Sequence, residues 1–317
     1  MKKYFALLLL PFMMACEKKI NVKLPDYEER LFFFSDVETN SNFTAFVRRS
    51  EKIKSYNNLH DLSVKNAVIQ LYINDDDVRT LFYADSLERY ALSQLVKPND
   101  RIKVIVTAPG YPEASAEAVV PSEVPIESLV FNRAVRIDNQ GNLISDIRIK
   151  FTDPPTAGDY YMIDIYTPYA MFFPQDTTIP QQQYPSNWIC IKSKDASIDD
   201  VTSGDPLNTG DENNCLPSEG LLINDVLFNG QTKELVLSAE DYYFEPYVDS
   251  ASGISSYPQI KLKHITQEYY KYLKTTRNVY DNSGNPFAEP VNVISNVKNG
   301  YGVLAPMSVS VKDIKNP

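Results

Sequence analysis

Histidine, glycine and basic charge are all scarce in this chain, and each scarcity excludes something. With two histidines among 317 residues, His60 and His264, a histidine-rich metal centre has no material. Gly is only 11, and no G-x-x-x-x-G-K-[ST], H-E-x-x-H or G-x-S-x-G occurs. Phosphate-cradling loops, zincin-type metalloproteases and nucleophile-elbow hydrolases are therefore not indicated, and no cofactor motif is present. Lys and Arg number 31 against 41 acids, a net charge of -10, with no compensating basic stripe. Such a surface repels phosphate backbones and argues against nucleic-acid binding. No repeat of 20 to 50 residues is visible, so a solenoid or propeller is not expected.

What is present begins with "MKKYFALLLLPFMMACEKK". Two lysines precede an apolar run, Tyr4 to Met14, which is far short of the ~20 residues that a membrane-spanning helix needs. It suits an export signal instead. Ala15 is small, Cys16 follows it, and charge begins at once with Glu17. This resembles a lipobox. Cleavage after residue 15 would leave Cys16 carrying acyl chains, palmitate among them, and residues 16–30 as a polar lipidated tether. Several chains anchor stably where one, at ~0.8 kcal/mol per buried CH₂, is marginal. Without Lys2 and Lys3 the net charge falls from -10 to -12. Cys190 and Cys215 then remain as a pair in an oxidising compartment. The acidic, aperiodic segment between them is a candidate disulfide loop, whose closure would contribute about 3 kcal/mol.

Tyr at 21 and Pro at 21 favour strands and turns over helices. Residues 31–121 read as short strands ("LFFFSDV", "FTAFVRRS", "NAVIQLYI", "RTLFYA", "ERYALSQ", "RIKVIVT", "PEASAEAVVP") with turn clusters between them. The expectation is an immunoglobulin-like β-sandwich. Pro121 and Pro125 mark a stiff linker. Residues 122–317 then form a second, larger β-rich domain in which "LISDIRIKF" and "YYMIDIYT" pair across "DPPTAGD" like a hairpin. A single helix is expected over 266–280, capped by Thr266, with Tyr269, Leu273, Thr276 and Tyr280 on one face. The fold class expected is thus mainly β with one helix in the C-terminal region.

Candidate sites are few. His264, in the alternating "KLKHIT", reads as an ordinary strand residue. Asp75, Asp76 and Asp77 read as a hairpin tip, and Asp199, Asp200, Asp205, Asp211 and Glu212 as a solvated loop without the spacing of a calcium loop. No metal site and no catalytic set is assigned. Alternating Tyr161, Ile163 and Ile165 should face a core. Tyr166, Tyr169, Phe172 and Phe173 lie beyond that alternation and are the candidate binding aromatics. "NVISNVKNGYG" reads as a turn after a strand, with Asn299-Gly300 and Gly302 at positive φ and Asn292 or Asn296 bonding the local backbone.

Several segments share the order and wording of a known family: "CEKKINVKLPDYEERLFF", "LVKPNDRIKVIVTAPGY", "VPIESLVF", "IRIKFTDPPTAGDYYMIDIY", "DVLFNGQTKELVL", "QEYYKYL" and "NPFAEPVNVISNVKNGYGVLAP". The chain resembles the Bacteroidota lipoprotein family catalogued as domain of unknown function 4249. Relatives often close the last motif with a "GIFGG"-like turn, where this chain has Val303-Leu304-Ala305-Pro306. The resemblance implies an outer-membrane lipoprotein encoded near TonB-dependent transporters, with no catalytic residues to carry over. The expected function is a non-enzymatic accessory binding or scaffold component of such a transport system, at the cell surface rather than the periplasmic face. The alternative is a surface adhesin or a glycan- or peptide-binding lipoprotein; the ligand itself is not named by the sequence. Cys16→Ala should abolish labelling by radioactive palmitate and release the protein from sedimented membranes. A variant that still sediments and a parent that takes up no label would remove the anchor.

Overall fold

The computed structural model describes residues 28–51, 61–76, 78–166, 191–199, 220–248, 255–281 and 291–315. The chain is mainly β with one α-helix among these residues. The first strands follow the expected alternation. β1 (Leu31–Ser35), β2 (Phe43–Arg49), β3 (Val68–Ile73), β4 (Arg79–Ala84), β5 (Arg89–Leu92), β6 (Arg101–Thr107) and β7 (Ala114–Val119) each turn alternate side chains inward. Phe33, Phe43, Ile69, Leu71, Tyr90, Ile102 and Val104 form their core.

The remaining strands are β8 (Ser128–Ile137), β9 (Leu143–Thr152), β10 (Tyr160–Tyr166), β11 (Leu221–Asn224), β12 (Thr232–Glu240), the short pair β13 (Tyr247–Val248) and β14 (Ser255–Ser256), then β15 (Gln259–Ile265). Helix α1 (Gln267–Asp281) follows, and β16 (Tyr301–Leu304) and β17 (Met307–Asp313) end the described chain. A three-stranded sheet, β12-β9-β8, and a four-stranded sheet, β11-β10-β15-β17, face each other. Ile147, Ile149, Phe151, Leu235 and Leu237 from the first meet Tyr161, Ile163, Ile165, Ile260 and Leu262 from the second in one core, as in a two-sheet sandwich.

Two expectations change here. The immunoglobulin-like sandwich expected over 31–121 is not confirmed. Those strands run without a break into one eight-stranded sheet, β16-β1-β2-β5-β4-β3-β6-β7, which is nearly closed into a barrel. Ser115 of β7 and Lys298, just before β16, exchange backbone bonds of 3.2 and 2.7 Å, so the two ends of the sheet almost meet. β9 and β10 are not a hairpin either. β9 pairs with β8 and β12, while β10 pairs with β11 and β15. The connection "DPPTAGD" explains the crossing, because Pro154 and Pro155 lack the N–H groups that a ladder would use there, and the chain steps to the opposite sheet.

The last strands tie the two bodies together. β16 lies parallel to β1, with Phe33 opposite Gly302. The pairing continues past both strands: Ala305 N–H donates to Ser35 O (2.8 Å), Met307 N–H to Val37 O (2.8 Å) and Thr39 N–H to Met307 O (2.9 Å). From Met307 on, the same segment is β17, antiparallel to β15 in the other body. Gly302 (φ 101°) is there by necessity, since an added Cβ would lie 1.9 Å from Phe33 O. Asn296 closes the preceding loop as expected of this motif, its Nδ2 donating to Leu304 O (2.8 Å) and its Oδ1 accepting from Leu304 N–H (2.9 Å).

Helix α1 wedges into the same junction. Thr266 caps it, with Oγ1 accepting from Tyr269 N–H (3.2 Å). Its buried face is Tyr269, Tyr270, Leu273 and Arg277, packed on Met162, Leu222, Val303 and Met307. Arg277 thus takes a place where an apolar stripe would continue, and its Nη2 donates to Gly220 O (2.9 Å).

Beside the helix, Lys263 of β15 reaches Glu38 after β1 (2.9 Å) and Asp164 of β10 (2.5 Å), and Lys261 also reaches Glu38 (3.2 Å). Burial opposes the charge on Lys263, yet Asp164 and Glu38 outweigh it and hold its pKa above the ordinary lysine value. Burial likewise opposes ionisation of Glu38, but Lys263 and Lys261 prevail and its pKa is lowered.

The linker after β7 is not free. Pro121 O accepts from Ser308 Oγ, and Ile126 N–H donates to Ser310 Oγ (2.9 Å), both on β17.

Gly302→Ala should destabilise the protein by about 3 kcal/mol or more, because β1 and β16 must separate to admit the methyl group. Gly158→Ala, at φ 95° with open space around its Cβ, should cost only about 1 kcal/mol of backbone strain. Urea unfolding midpoints of the two variants measure the contrast, and equal losses would show that the parallel pairing is dispensable.

Candidate functional site

The densest set of chemically capable side chains lies at one end of the two-sheet sandwich. Three separate pieces of chain build it. Asp153 follows β9, Asp159 precedes β10, and Asp225 opens a single 3-10 turn after β11. One carboxylate oxygen from each lies within 4.8 Å of the others. Asp153 and Asp225 are buried, and Asp159 is 15% exposed.

Donors converge on this acidic group. Tyr161 OH donates to Asp153 Oδ1, and Gly230 N–H donates to Asp153 Oδ2 (2.9 Å). Asp225 Oδ2 accepts from the N–H groups of Gly158 (2.8 Å) and Asp159 (3.1 Å). Thr156 Oγ1 donates to Asp159 Oδ2 (3.0 Å). His264 is 5% exposed and lies between Asp159 and the linker: its Nε2 is 2.9 Å from Asp159 Oδ1, and its Nδ1 is 2.8 Å from Ser122 O. Both ring nitrogens are thus at hydrogen-bond distance from an oxygen, one a backbone carbonyl and one a carboxylate, which fixes the ring plane. The ring also stacks on Tyr161, 5.0 Å between centroids.

Burial pushes the Asp153 carboxyl above the ordinary carboxylate range, against the Tyr161 and Gly230 bonds that favour the anion. The charges of Asp159 and Asp225 add to the upward push. Burial and the bond to Asp153 raise the Tyr161 hydroxyl as well. By residue type and spacing, Asp153, Asp159 and Asp225 are the set among the described residues that could hold a hard cation. Their bonding, however, is that of a polar plug: five of the six carboxylate oxygens of the three aspartates are at hydrogen-bond distance from a protein group, and the groups so joined close the sandwich core.

Sequence reasoning placed His264 on a strand, as found, but missed its burial and its partners. Asp153 and Asp159 were legible as turn residues of "DPPTAGD", and Asp225 carried no signal, since its relation to them is set by a fold that brings residue 225 back to residue 158. Of the candidate binding aromatics, Tyr166 is half-buried at the end of β10, opposite Gln259, and burial raises its hydroxyl pKa. Tyr169, Phe172, Phe173, Cys16, Cys190 and Cys215 lie outside the described residues. Tyr161, Ile163 and Ile165 are core, as their alternation requires. Asn74 and Asp75 adopt positive φ (56° and 62°), which makes the acidic tip a turn; Asp77 lies outside the described residues. Asp199 is held by Lys274 (3.1 Å), whereas Asp200, Asp205, Asp211 and Glu212 lie outside the described residues.

Comparison with known proteins adds a family and little else. The family model DUF4249, described as a domain of unknown function, matches residues 17–313. No curated protein sequence matches the chain. Among solved structures, a crystal structure from Corynebacterium diphtheriae assigned as a membrane-anchored protein aligns at 9% identity and a TM-score of 0.22. The alignment covers 76% of this chain and 55% of that one. At that score it carries no argument about fold or role. Among the described residues, no helix is long and apolar enough to cross a membrane.

Asp153→Asn provides a test with a definite sign. A carboxyl whose folded pKa is raised binds its proton more tightly in the native state. Its contribution to stability therefore falls as pH rises from the unfolded pKa through the folded one. The stability of Asp153→Asn relative to the parent should accordingly improve between about pH 3 and pH 7, read from denaturation midpoints at each pH. A cation held by the three carboxylates would favour the ionised form, and the difference would run the other way.

Proposed function

The chain belongs to the DUF4249 family, and we propose that it is a non-enzymatic, lipid-anchored protein of the outer membrane, facing the cell surface, that serves as an accessory binding or scaffold component of a TonB-dependent transporter. The observation that carries this reading is the construction of the junction. Residues 301–313 pair with strands of both bodies, and a helix and a partly buried Lys263–Glu38–Asp164 network fill the space between them. Two β bodies fixed in this way make a stiff arm behind a tether, which suits holding a partner at a set distance from a bilayer.

The chemistry at hand supports binding rather than turnover. Asp153, Asp225 and His264 are buried and Asp159 nearly so; Asp153 and Asp225 bond backbone amides, and His264 lies between Asp159 and the Ser122 carbonyl. A general acid or base needs reach to a substrate proton, which this arrangement does not offer. The apolar-to-charged switch at Cys16 supports the anchor.

Crosslinking in intact outer membranes, followed by affinity recovery and mass spectrometry, should yield a TonB-dependent barrel joined to this chain. Recovery of the chain alone under conditions that crosslink known membrane complexes would overturn the scaffold reading.

A further inference from the structure

The outer face of the nearly closed sheet carries side chains that its solvent position does not explain. Along β2, Phe43, Ala45 and Val47 turn into the core, so Thr44, Phe46 and Arg48 turn out. On β4, Leu81 points inward and Phe82 outward, where it is 70% exposed. Register brings the outward residues of four adjacent strands side by side. Phe32 stands opposite Arg48 and Phe34 opposite Phe46, Thr44 and Phe82 both face Ala91, and Ala84 faces Arg89; Phe34 itself packs against Tyr272 of α1, which bounds the open face on that side. Leu87, in the turn between β4 and β5, is 52% exposed at the margin.

Two guanidinium groups gather on one ring of this face. Arg89 Cζ lies 4.4 Å and Arg48 Cζ 5.8 Å from the centroid of Phe46. Five other arginines meet acids: Arg30 with Glu28, Arg101 with Asp75, Arg133 with Asp241, Arg136 with Asp146 and Arg148 with Glu234, while Arg79 meets Gln94 and Arg277 meets Gly220 O. Among the described residues, neither Arg48 nor Arg89 has a carboxylate at ion-pair distance. Asp61 and Asp36 feel their fields only from farther off. A chain of net charge -10 thus sets two cations, neither with a carboxylate at ion-pair distance, on the half-buried Phe46, two strands from the exposed Phe82.

The place of this face matters as much as its make-up. The chain enters β1 at Arg30, whose N–H donates to Ser50 Oγ (2.9 Å) and whose carbonyl accepts from Ser50 N–H (2.9 Å). The tether from Cys16 therefore ends two residues from Arg48 in the neighbouring strand. Fully extended, that tether spans at most about 50 Å, so the patch can lie on the bilayer that holds the anchor. Arginine forks match phosphate oxygens, and phenylalanine and leucine enter the headgroup boundary.

We propose that the Phe46–Phe82–Arg48–Arg89 face rests on the membrane and takes anionic, phosphate-bearing lipid headgroups, with both guanidinium groups on phosphate and Phe82 and Leu87 at the acyl boundary. This rests on the lipid-anchor reading and adds to it a fixed orientation of the arm against the bilayer. The anchor holds the chain near the surface, and the patch sets which side faces down.

The test uses the full mature chain with Cys16→Ser, so that no acyl chain contributes, and co-sedimentation with lipid vesicles. The protein should bind vesicles of phosphatidylglycerol and phosphatidylcholine and not vesicles of phosphatidylcholine alone. Each arginine near an anionic surface is worth about fivefold in partitioning, so Arg48→Gln with Arg89→Gln should lower binding about 25-fold. Phe82→Ser should lower it several-fold while the unfolding midpoint stays unchanged. Arg136→Gln with Arg148→Gln, on the three-stranded sheet, should have no effect. Equal binding by parent and the Arg48/Arg89 double variant, indifference to phosphatidylglycerol, or an equal loss from the Arg136/Arg148 variant would overturn the proposal. So would a photo-crosslinker at position 82 that captures protein and no lipid in native membranes. Failure of the anchor itself is read separately, as absent palmitate labelling with vesicle binding intact.

Discussion

The parallel pairing of β16 with β1 is the contact on which the arrangement of the whole chain depends. A C-terminal segment crosses back to lie beside the first strand, with some 270 residues between them in the chain, and then continues as the edge strand of the other body. Two features make this approach feasible. Gly302 leaves room for Phe33 O, and Gly300, whose added Cβ would be 2.7 Å from Leu31 O, does the same one step earlier. Because parallel strands cannot be joined by a tight turn, this pairing closes a very long loop of chain and has to outweigh the corresponding loop-closure entropy. Its loss would free the helix wedge and the Lys263 network together, since both are built against the strands it joins.

Polar groups at the two ends of the sandwich do different work. At the junction end, Asp153, Asp159, Asp225, His264 and Tyr161 satisfy one another and the backbone of the crossing loops. At the β8 end, Arg133 holds Asp241 through Nε and Nη2 at 3.0 and 2.6 Å, beside the bulge at Ala134 (φ 49°). The Arg133 bonds keep Asp241 well below the usual carboxylate range, whereas burial drives Asp153 above it. Acid weakens the first device and relieves the second, so the two ends respond to pH in opposite senses.

Much of the fold was legible in local pattern. Period-two alternation placed β1 to β7, β9, β10, β12 and β15, and a Thr cap with a 3.6-residue apolar stripe placed α1 within one residue of its observed start and end. The helix face was only half legible, because Arg277 occupies a buried position by reaching Gly220 O, a partner far away in the chain. The sheet pairing of "LISDIRIKF" and "YYMIDIYT" was misread for the same kind of reason. Alternation tells which side of a strand is apolar but not which strand lies beside it, and both sheets of a sandwich give the same signal. β8 was not anticipated as a strand, its mostly exposed residues giving no clear alternation.

By itself the sequence determined that this is a β-rich, acidic chain of one known family, with a lipobox-like start, a capped helix and a glycine-bearing final motif, because each of those is written in neighbouring residues. Tertiary structure alone decided that the N-terminal strands curl into a nearly closed sheet and that a C-terminal strand completes its edge. It also brought three aspartates and a histidine from distant segments into one plug, and set two unmatched arginines over one phenylalanine. The physical reason is that backbone pairing and electrostatic matching act across space, between residues whose distance along the chain carries no trace of their contact.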